Sequence, residues 1–464
     1  MAIPSRSQFT RKVGTNLVVD RKVFRDPIHN YIEVSGCALE VIEDPLFQRL
    51  RSIRQLSFTQ CVYHGAEHSR FGHSLGVYHL ANRITDLLIP DEDREIREEF
   101  CLAALLHDVG HHPFSHSFEA VLNNVYGDLG IDFDHEQFTM KIINETSIAD
   151  CISRNGLSKD HVIQLIQGSY TEKAELQFLN QLISSELDLD RLDYLLRDSY
   201  YCGVPYGKIG LERLIMSLEP DGDLLTISQK GINSIEMYVL SRFYMYTQVY
   251  THHTARAFDL LLQKIFNREI IESTGYHKIK EDINTLLKFD DHWLNMLIKD
   301  LASDKEFEYH ELAERILYRN PIKCVIEKTA LMDRLDRKVD PEYTTISDLR
   351  YELGTISERT GINNNFIFFD EPWANLPYGF QPYVPTEVSP EKPLEVEEKK
   401  PIIIRTGRGL IDIAQEPNSI AHHISRVSAQ VIRIYTLDNY RELLGNTLGE
   451  MRPIIDHLVW KDKF

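Results

Sequence analysis

Apolar side chains recur at three- and four-residue steps through most of the chain. Val77, Ala81, Ile84 and Leu88 form one stripe, Leu102, Leu105, Leu106 and Val109 a second, and Phe258, Leu261, Leu262 and Ile265 a third. This is the spacing of helices that bury one face. It predicts an overwhelmingly helical body from about Ser35 to Leu335, broken by turn chemistry at Ile89-Pro90-Asp91, at Glu219-Pro220-Asp221-Gly222-Asp223 and at Asn320-Pro321. Ahead of that body, RKVFRDPIHNYIEV sets β-branched and aromatic residues around a proline and predicts a strand and turn, while LLTIS after Asp223 predicts a short strand. After about Arg350, NNNFIFFDEPW and PIIIRTGRGLIDI read as strands. The Pro- and Glu-rich stretch between them, near 377–401, reads as an extended linker. The expected fold is mainly α: a strand-and-turn segment over 1–34, a large all-helical domain over 35–340 and a smaller mixed α/β region over 341–464.

Composition narrows the function classes. With 51 Lys and Arg against 70 Asp and Glu, the formal charge of −19 excludes a protein that coats nucleic acid through a general basic field. No stable nucleic-acid binding is expected. At 464 residues and 43 % hydrophobic, the chain can bury a sizeable core. The six cysteines stand far apart with no CxxC pair, so a thiolate zinc ribbon has no local support. That cysteine usage, no apolar leader near the N-terminus and no stretch of about 18 apolar residues together predict a cytoplasmic protein with no membrane attachment.

The 19 histidines are unevenly distributed. HSRFGHSLG carries His73. LAALLHDVGHHPFSHSFE carries His107, Asp108, His111, His112, His116 and Glu119, and SSELDLDRLDYLLRD carries Asp190. Neutral imidazoles and carboxylates are ligands for a borderline transition metal or for Mg²⁺. Several of them at the end of an apolar helix are costly unless a metal, hydrogen bonds or a substrate satisfy them. Asp190, Tyr194, Arg197 and Asp198 fall on one helical stripe, either a solvated face or the wall of a lined cavity. Arg242, Tyr246 and Tyr250 recur every four residues beside His252 and His253, either as aromatic core or as a ligand wall.

HSRFGHS, HDVGHHPFSH and DLDRLDY, in this order, resemble the H…HD…D signature of HD-domain phosphohydrolases. KVFRDPIHNYI, FQRLRSIRQL and GAEHSRFGHSLGVY are similar to phrases of the dNTP triphosphohydrolases within that superfamily. The resemblance runs from about Lys22 to Arg337. It implies that His73, His107, Asp108 and Asp190 ligate a divalent metal (Fe, Mn, Zn or Mg), with Mg²⁺ accompanying the triphosphate, and that His111, Glu119 and His135 form the catalytic cluster. Arg70, His116 and Arg191 then contact the triphosphate. Gln55 and Asp198 read the sugar 3′-hydroxyl, with Tyr194 beside them and Leu56 near the 2′ position. Tyr250 packs on the deoxyribose, and Tyr246 replaces a histidine of the eukaryotic enzymes. The same resemblance implies a homotetramer with a guanine-nucleotide (GTP or dGTP) activator held by Lys22, Gln48 and Arg51, and His252 near an adjoining site. The activity implied is hydrolysis of a dNTP to deoxynucleoside and inorganic triphosphate. Hydrolysis of another nucleotide phosphoester, or nucleotide sensing with little turnover, are the alternatives.

Overall fold

The computed structural model describes residues 21–333, 354–372, 400–407, 409–425 and 427–450. It opens with an antiparallel hairpin of β1 (Arg21–Asp26) and β2 (Asn30–Ser35), the strand and turn expected there. Asp26 builds the turn: its Oδ1 accepts the backbone N–H groups of Ile28 and His29 at 2.8 and 2.9 Å. A short side-chain acceptor placed two and three residues ahead of its donors bends the chain locally.

Seven helices carry the region of interest: α1 (Arg70–Leu88), α2 (Arg94–Leu106), α3 (His116–Tyr126), α4 (His135–Glu145), α5 (Leu189–Cys202), α6 (Ile232–Met245) and α7 (His253–Ile265). The predicted apolar stripes are buried. Val77, Ala81 and Ile84 on α1, Leu102, Leu105 and Leu106 on α2, and Phe258, Leu261, Leu262 and Ile265 on α7 are each at most 2 % exposed. Burial of each Val, Leu, Ile or Phe side chain contributes roughly 1.5–3 kcal/mol. Helix α5 starts at Asp188, whose carboxylate accepts the Arg191 N–H at 2.9 Å, and stops at Gly203 with a left-handed φ of 71°. Between α6 and α7 the chain makes a π-turn at Tyr246–Tyr250, a form that inserts a residue and re-aims the side chains after it.

Seven further strands form two sheets. One has the order β3 (Leu218–Asp221), β4 (Leu224–Ser228), β7 (Ile403–Thr406), β8 (Gly409–Asp412); the other has the order β5 (Lys323–Asp333), β9 (Val427–Thr436), β6 (Ile367–Asp370). The LLTIS segment is β4, and the strands read after Arg350 are β6, β7 and β8. Strand β5 corrects the expectation of helix as far as Leu335. Val325, Ile326 and Thr329 suit a pleated surface, and β5 pairs antiparallel with β9 along almost its whole length. The parallel pairing of β4 with β7 stitches the late strands to the helical body, so that Ile402, Ile404 and Ile413 share one apolar core with α1 and α2. A smaller cluster, Ile356, Ile362, Ile432, Ile434, Leu444 and Leu448, packs beside β9. The boundary read at 340/341, residues 1–20 and the linker up to residue 399 lie outside the described residues. Among the described residues no helix is long and apolar enough to cross a membrane.

Candidate active site

Three chain segments meet at the first turn of α1. Arg70 and His73 lie on that turn, His107 and Asp108 directly follow α2, and Asp190 lies on the first turn of α5. The two imidazoles are anchored from behind. His107 Nδ1 donates to the Ala104 carbonyl at 2.9 Å, and His73 Nδ1 donates to Asp193 Oδ2 at 2.8 Å. Each Nδ1–H bond fixes the tautomer that leaves a lone pair on Nε2. Both Nε2 atoms are buried without a hydrogen bond. Asp190 Oδ1 lies 2.9 Å from Nε2 of His73 and 3.7 Å from that of His107, while Asp108 oxygens lie 3.7 and 3.4 Å from the same two nitrogens.

Lone pairs of nitrogen and carboxylate oxygen that converge on one point need a cation between them, and this donor set fits a divalent one. One ligand atom each from His73, His107 and Asp190 lies within 4.8 Å of the others. Asp108 sits at the edge of the group, because its Oδ2 also accepts from Arg70 Nη1 at 2.5 Å. Electrostatics agree. Burial pulls the His73 imidazolium down, but the Asp190 and Asp193 carboxylates outweigh it and raise His73 to about 10. Burial likewise pushes the Asp190 carboxyl up, and the His107 and His73 imidazoles hold it well below the ordinary carboxylate range. Positive charge is therefore favoured at the point where these groups converge.

The second cluster gathers His111, His116, Glu119 and His135, again with ligand atoms within 4.8 Å of one another. Here Glu119 already engages two of the three imidazoles, while the buried His111 Nδ1 has no hydrogen bond. His116 Nδ1 donates to Glu119 Oε2 at 2.9 Å and His135 Nδ1 to Oε1 at 3.1 Å. The His111 and His135 rings stack at 3.8 Å, 14° from parallel, and His111 Nε2 reaches Asp108 Oδ1 at 3.2 Å. Burial opposes a charge on His135, but the Glu119 carboxylate prevails and raises its pKa. Burial, Arg70 and His135 together push His111 well down. The stack therefore sets a ring whose charged form is favoured against one whose neutral form is favoured. Burial favours the neutral Glu119 carboxyl, but His116 and His135 hold it well below its usual range.

The turn between His111 and His116, inside the second cluster, is strained. Phe114 and Ser115 have φ of 52° and 50° without being glycine, a conformation costing on the order of 1–3 kcal/mol each. It is held by three hydrogen bonds: Phe114 N–H to Asp291 at 2.8 Å, Ser57 Oγ to the Phe114 carbonyl at 2.5 Å, and Ser115 Oγ to the Arg54 carbonyl at 2.8 Å. Ser115 Oγ in turn accepts from Arg70 Nε at 2.7 Å, which aims the guanidinium at Asp108.

The remaining expected residues divide. Asp198, 1 % exposed, accepts from His68 Nε2 at 2.8 Å and from the Tyr250 hydroxyl at 2.7 Å. Tyr250 in turn meets Tyr194 and Tyr246 edge to face, at 6.0 and 5.1 Å. Gln55 joins His68 through its backbone N–H, and its buried Oε1 has no hydrogen bond; Leu56 caps the turn that follows. Arg191 folds back onto its own helix start, bonding Asp188 and the Ser185 carbonyl. Lys22 pairs with Glu43 at the surface. Gln48 bonds the Ile42 carbonyl at 2.6 Å and accepts from Arg51 at 2.8 Å, and the Arg51 guanidinium lies 3.6 Å over the Phe71 ring. His252 is elsewhere: its Nδ1 accepts the Thr254 N–H and caps α7.

The stripe on α5 is buried rather than solvated at Arg197 and Asp198. Asp193, which holds His73, escaped the sequence reading, as did His29 and His68. The available signal was spacing: Asp193 is three residues after Asp190 and four before Arg197, on a face shared with a candidate ligand.

Comparison with known proteins agrees with this geometry. The HD domain family matches residues 70–198, and the HD associated region matches 209–377. An uncharacterised Bacillus subtilis protein, YwfO, is 34 % identical over 381 residues, covering 78 % of this chain and 82 % of that protein. The human deoxynucleoside triphosphate triphosphohydrolase SAMHD1 is 28 % identical over 66 % of this chain, which spans 55 % of that enzyme. Among solved structures, a hypothetical protein from Aquifex aeolicus is similar with a TM-score of 0.70 at 28 % identity, covering 92 % of this chain and 100 % of that one. A phosphohydrolase from Bacteroides thetaiotaomicron reaches 0.67 at 26 % identity, covering 90 % and 100 %. Anchored imidazoles facing two carboxylates, on the segments that the HD family matches, have one consistent reading: the chain belongs to the HD-domain, dNTPase-like family of metal-dependent phosphohydrolases.

Proposed function

We propose that the chain hydrolyses a dNTP to the deoxynucleoside and inorganic triphosphate. The observation that carries this reading is adjacency. The unpaired Nε2 atoms of His73 and His107 lie next to Arg70 and to the His111/His135/Glu119 cluster, with an aromatic, hydroxyl-bonded group at Asp198 and Tyr250 for a sugar.

In this mechanism His73, His107, Asp108 and Asp190 would hold a divalent cation, which would supply Lewis acidity at the α-phosphoryl group and activate a water. Arg70, with Arg191 once released from Asp188, neutralises charge on the triphosphate, alongside a Mg²⁺ bound with that chain. His116 contacts the same chain. His135, whose charged form Glu119 favours, gives its proton to the departing 5′-oxygen, a contribution of typically 10²–10⁴-fold; His111 stacks against it and fixes its plane. Gln55 and Asp198 bind the 3′-hydroxyl, while Leu56, Tyr194, Tyr246 and Tyr250 close on the deoxyribose and leave no room for a 2′-hydroxyl. A guanine nucleotide at Lys22, Gln48 and Arg51, with His252 at a neighbouring site, activates a homotetramer.

The test is metal-supplemented hydrolysis of each of the four dNTPs, alone and with GTP or dGTP added. Free triphosphate as product supports the reading. Orthophosphate or pyrophosphate refutes it in favour of another phosphoester, and saturable binding without turnover refutes it in favour of a sensor.

A further inference from the structure

Behind His73 lies a buried ionic chain that no step above uses. Asp193, with no exposed surface, has both carboxylate oxygens fully engaged. Oδ2 accepts from His73 Nδ1 at 2.8 Å and from Arg197 Nε at 2.7 Å; Oδ1 accepts from His29 Nε2 at 2.7 Å and from Arg197 Nη2 at 3.0 Å. Arg197, 1 % exposed, continues to Asp26, with Nη1 2.8 Å from Oδ2 and Nη2 3.4 Å from Oδ1. Asp26 in turn makes the β1–β2 turn that presents His29. Helix α1 makes room for the chain: a Cβ on Gly76 would lie 1.9 Å from Asp193 Oδ1 and 2.5 Å from Arg197 Nη2.

Such an assembly is a poor source of stability, because desolvating two carboxylates and a guanidinium offsets most of their attraction. What it controls is orientation. A carboxylate on the far nitrogen of a ligating imidazole fixes the ring's plane and tautomer and strengthens its other nitrogen as a donor. His73 is the only one of the two anchored imidazoles with such a partner; His107 has a backbone carbonyl instead. We infer that Asp193, held in place by Arg197 and Asp26, is the positioning residue that sets cation affinity through His73, so that the N-terminal hairpin helps to hold the metal without touching it. This rests on the metal-site reading given above.

The test uses the full chain stripped of metal, with Mn²⁺ affinity measured by calorimetry and Co²⁺ used as a spectroscopic probe. Asp193→Asn keeps size and one acceptor but removes the charge. Its Mn²⁺ affinity is expected to fall about 10–100-fold, and its Co²⁺ absorption bands to shift, with the metal-free melting temperature measured in parallel. Asp26→Asn, two links behind Asp193, is expected to weaken Mn²⁺ binding by a smaller factor, and it decides the matter alone if Asp193→Asn does not fold. Wild-type Mn²⁺ affinity and Co²⁺ bands in the folded variants overturn the positioning role and leave the metal site standing. A wild-type protein that binds neither ion overturns both.

Discussion

The two histidine–carboxylate clusters use the same residue types within the same span and do opposite things. In the His73/His107/Asp190 group, each imidazole is tied by Nδ1 and its Nε2 is left without a hydrogen bond. In the His111/His116/Glu119/His135 group, Glu119 already takes a hydrogen bond on each oxygen and the rings stack. The first arrangement is incomplete without a cation. The second is internally neutralised and suited to holding a proton at one position. Counting potential ligands would label both as metal sites; the carboxylate separates them, since Glu119 is already bonded by two imidazoles while Asp190 faces two Nε2 atoms that lack a hydrogen bond.

The comparison breaks most visibly at the first cluster. His107→Ala or Asp108→Ala is expected to reduce phosphohydrolase turnover to background and to abolish the rise in melting temperature on adding Mn²⁺. A variant with near-wild-type turnover and bound metal would sink the assignment. At the second cluster, His135→Ala is expected to lower kcat by roughly 10²–10⁴-fold while metal content by mass spectrometry stays at the wild-type level. Loss of metal there would merge the two clusters into one function.

The pH profile sharpens the distinction. Because Glu119 raises the His135 pKa, the proton donor is competent below that raised value and lost as pH climbs through it. Glu119→Gln is expected to move the alkaline fall of kcat/KM to lower pH; an unmoved limb removes His135 as the donor. Tyr250→Phe deletes one hydrogen bond to the Asp198 carboxylate, worth about 1.5–3 kcal/mol. It is expected to reduce dNTP turnover by about tenfold or more, leaving metal content and the pH limb unchanged. The smallest effect concerns stability. The depressed Glu119 carboxyl contributes stability that is full above its unfolded pKa of about 4.3 and lost as pH falls through its folded one. Glu119→Gln is therefore expected to flatten the acid-side decline of the melting temperature, measured by scanning calorimetry.

Local periodicity made α1, α2 and α7 legible, since their buried residues recur within a few positions of one another. The hairpin, β4, β7 and β8 were legible from β-branched residues next to turn residues. Strand β5 was not: its pairing partner β9 lies about a hundred residues further on, and a sequence window does not contain that partner. The same limit applies in the site. The HD segments could be read because their ligands cluster in sequence, whereas Arg197 lies on a stripe that sequence leaves open between a solvated face and a lined cavity until Asp26, 171 positions away, supplies an opposing charge in the interior. Phe114 and Ser115 gave no signal, because positive φ at those positions is imposed by Asp291, Ser57 and Arg54 rather than by their own side chains.

Arg197 and Asp26 also line a cavity of about 620 Å³ with Phe24, Arg51, Phe71 and Tyr201. Where a residue lines one site and stands behind another, any coupling between their affinities is reciprocal. If an occupant of that cavity shifts the Arg197 guanidinium so that the cation at His73 is held tenfold more tightly, the cation must tighten that occupant tenfold in return. Titrating either component in the presence and absence of the other therefore measures the same coupling energy twice, and the two values have to agree.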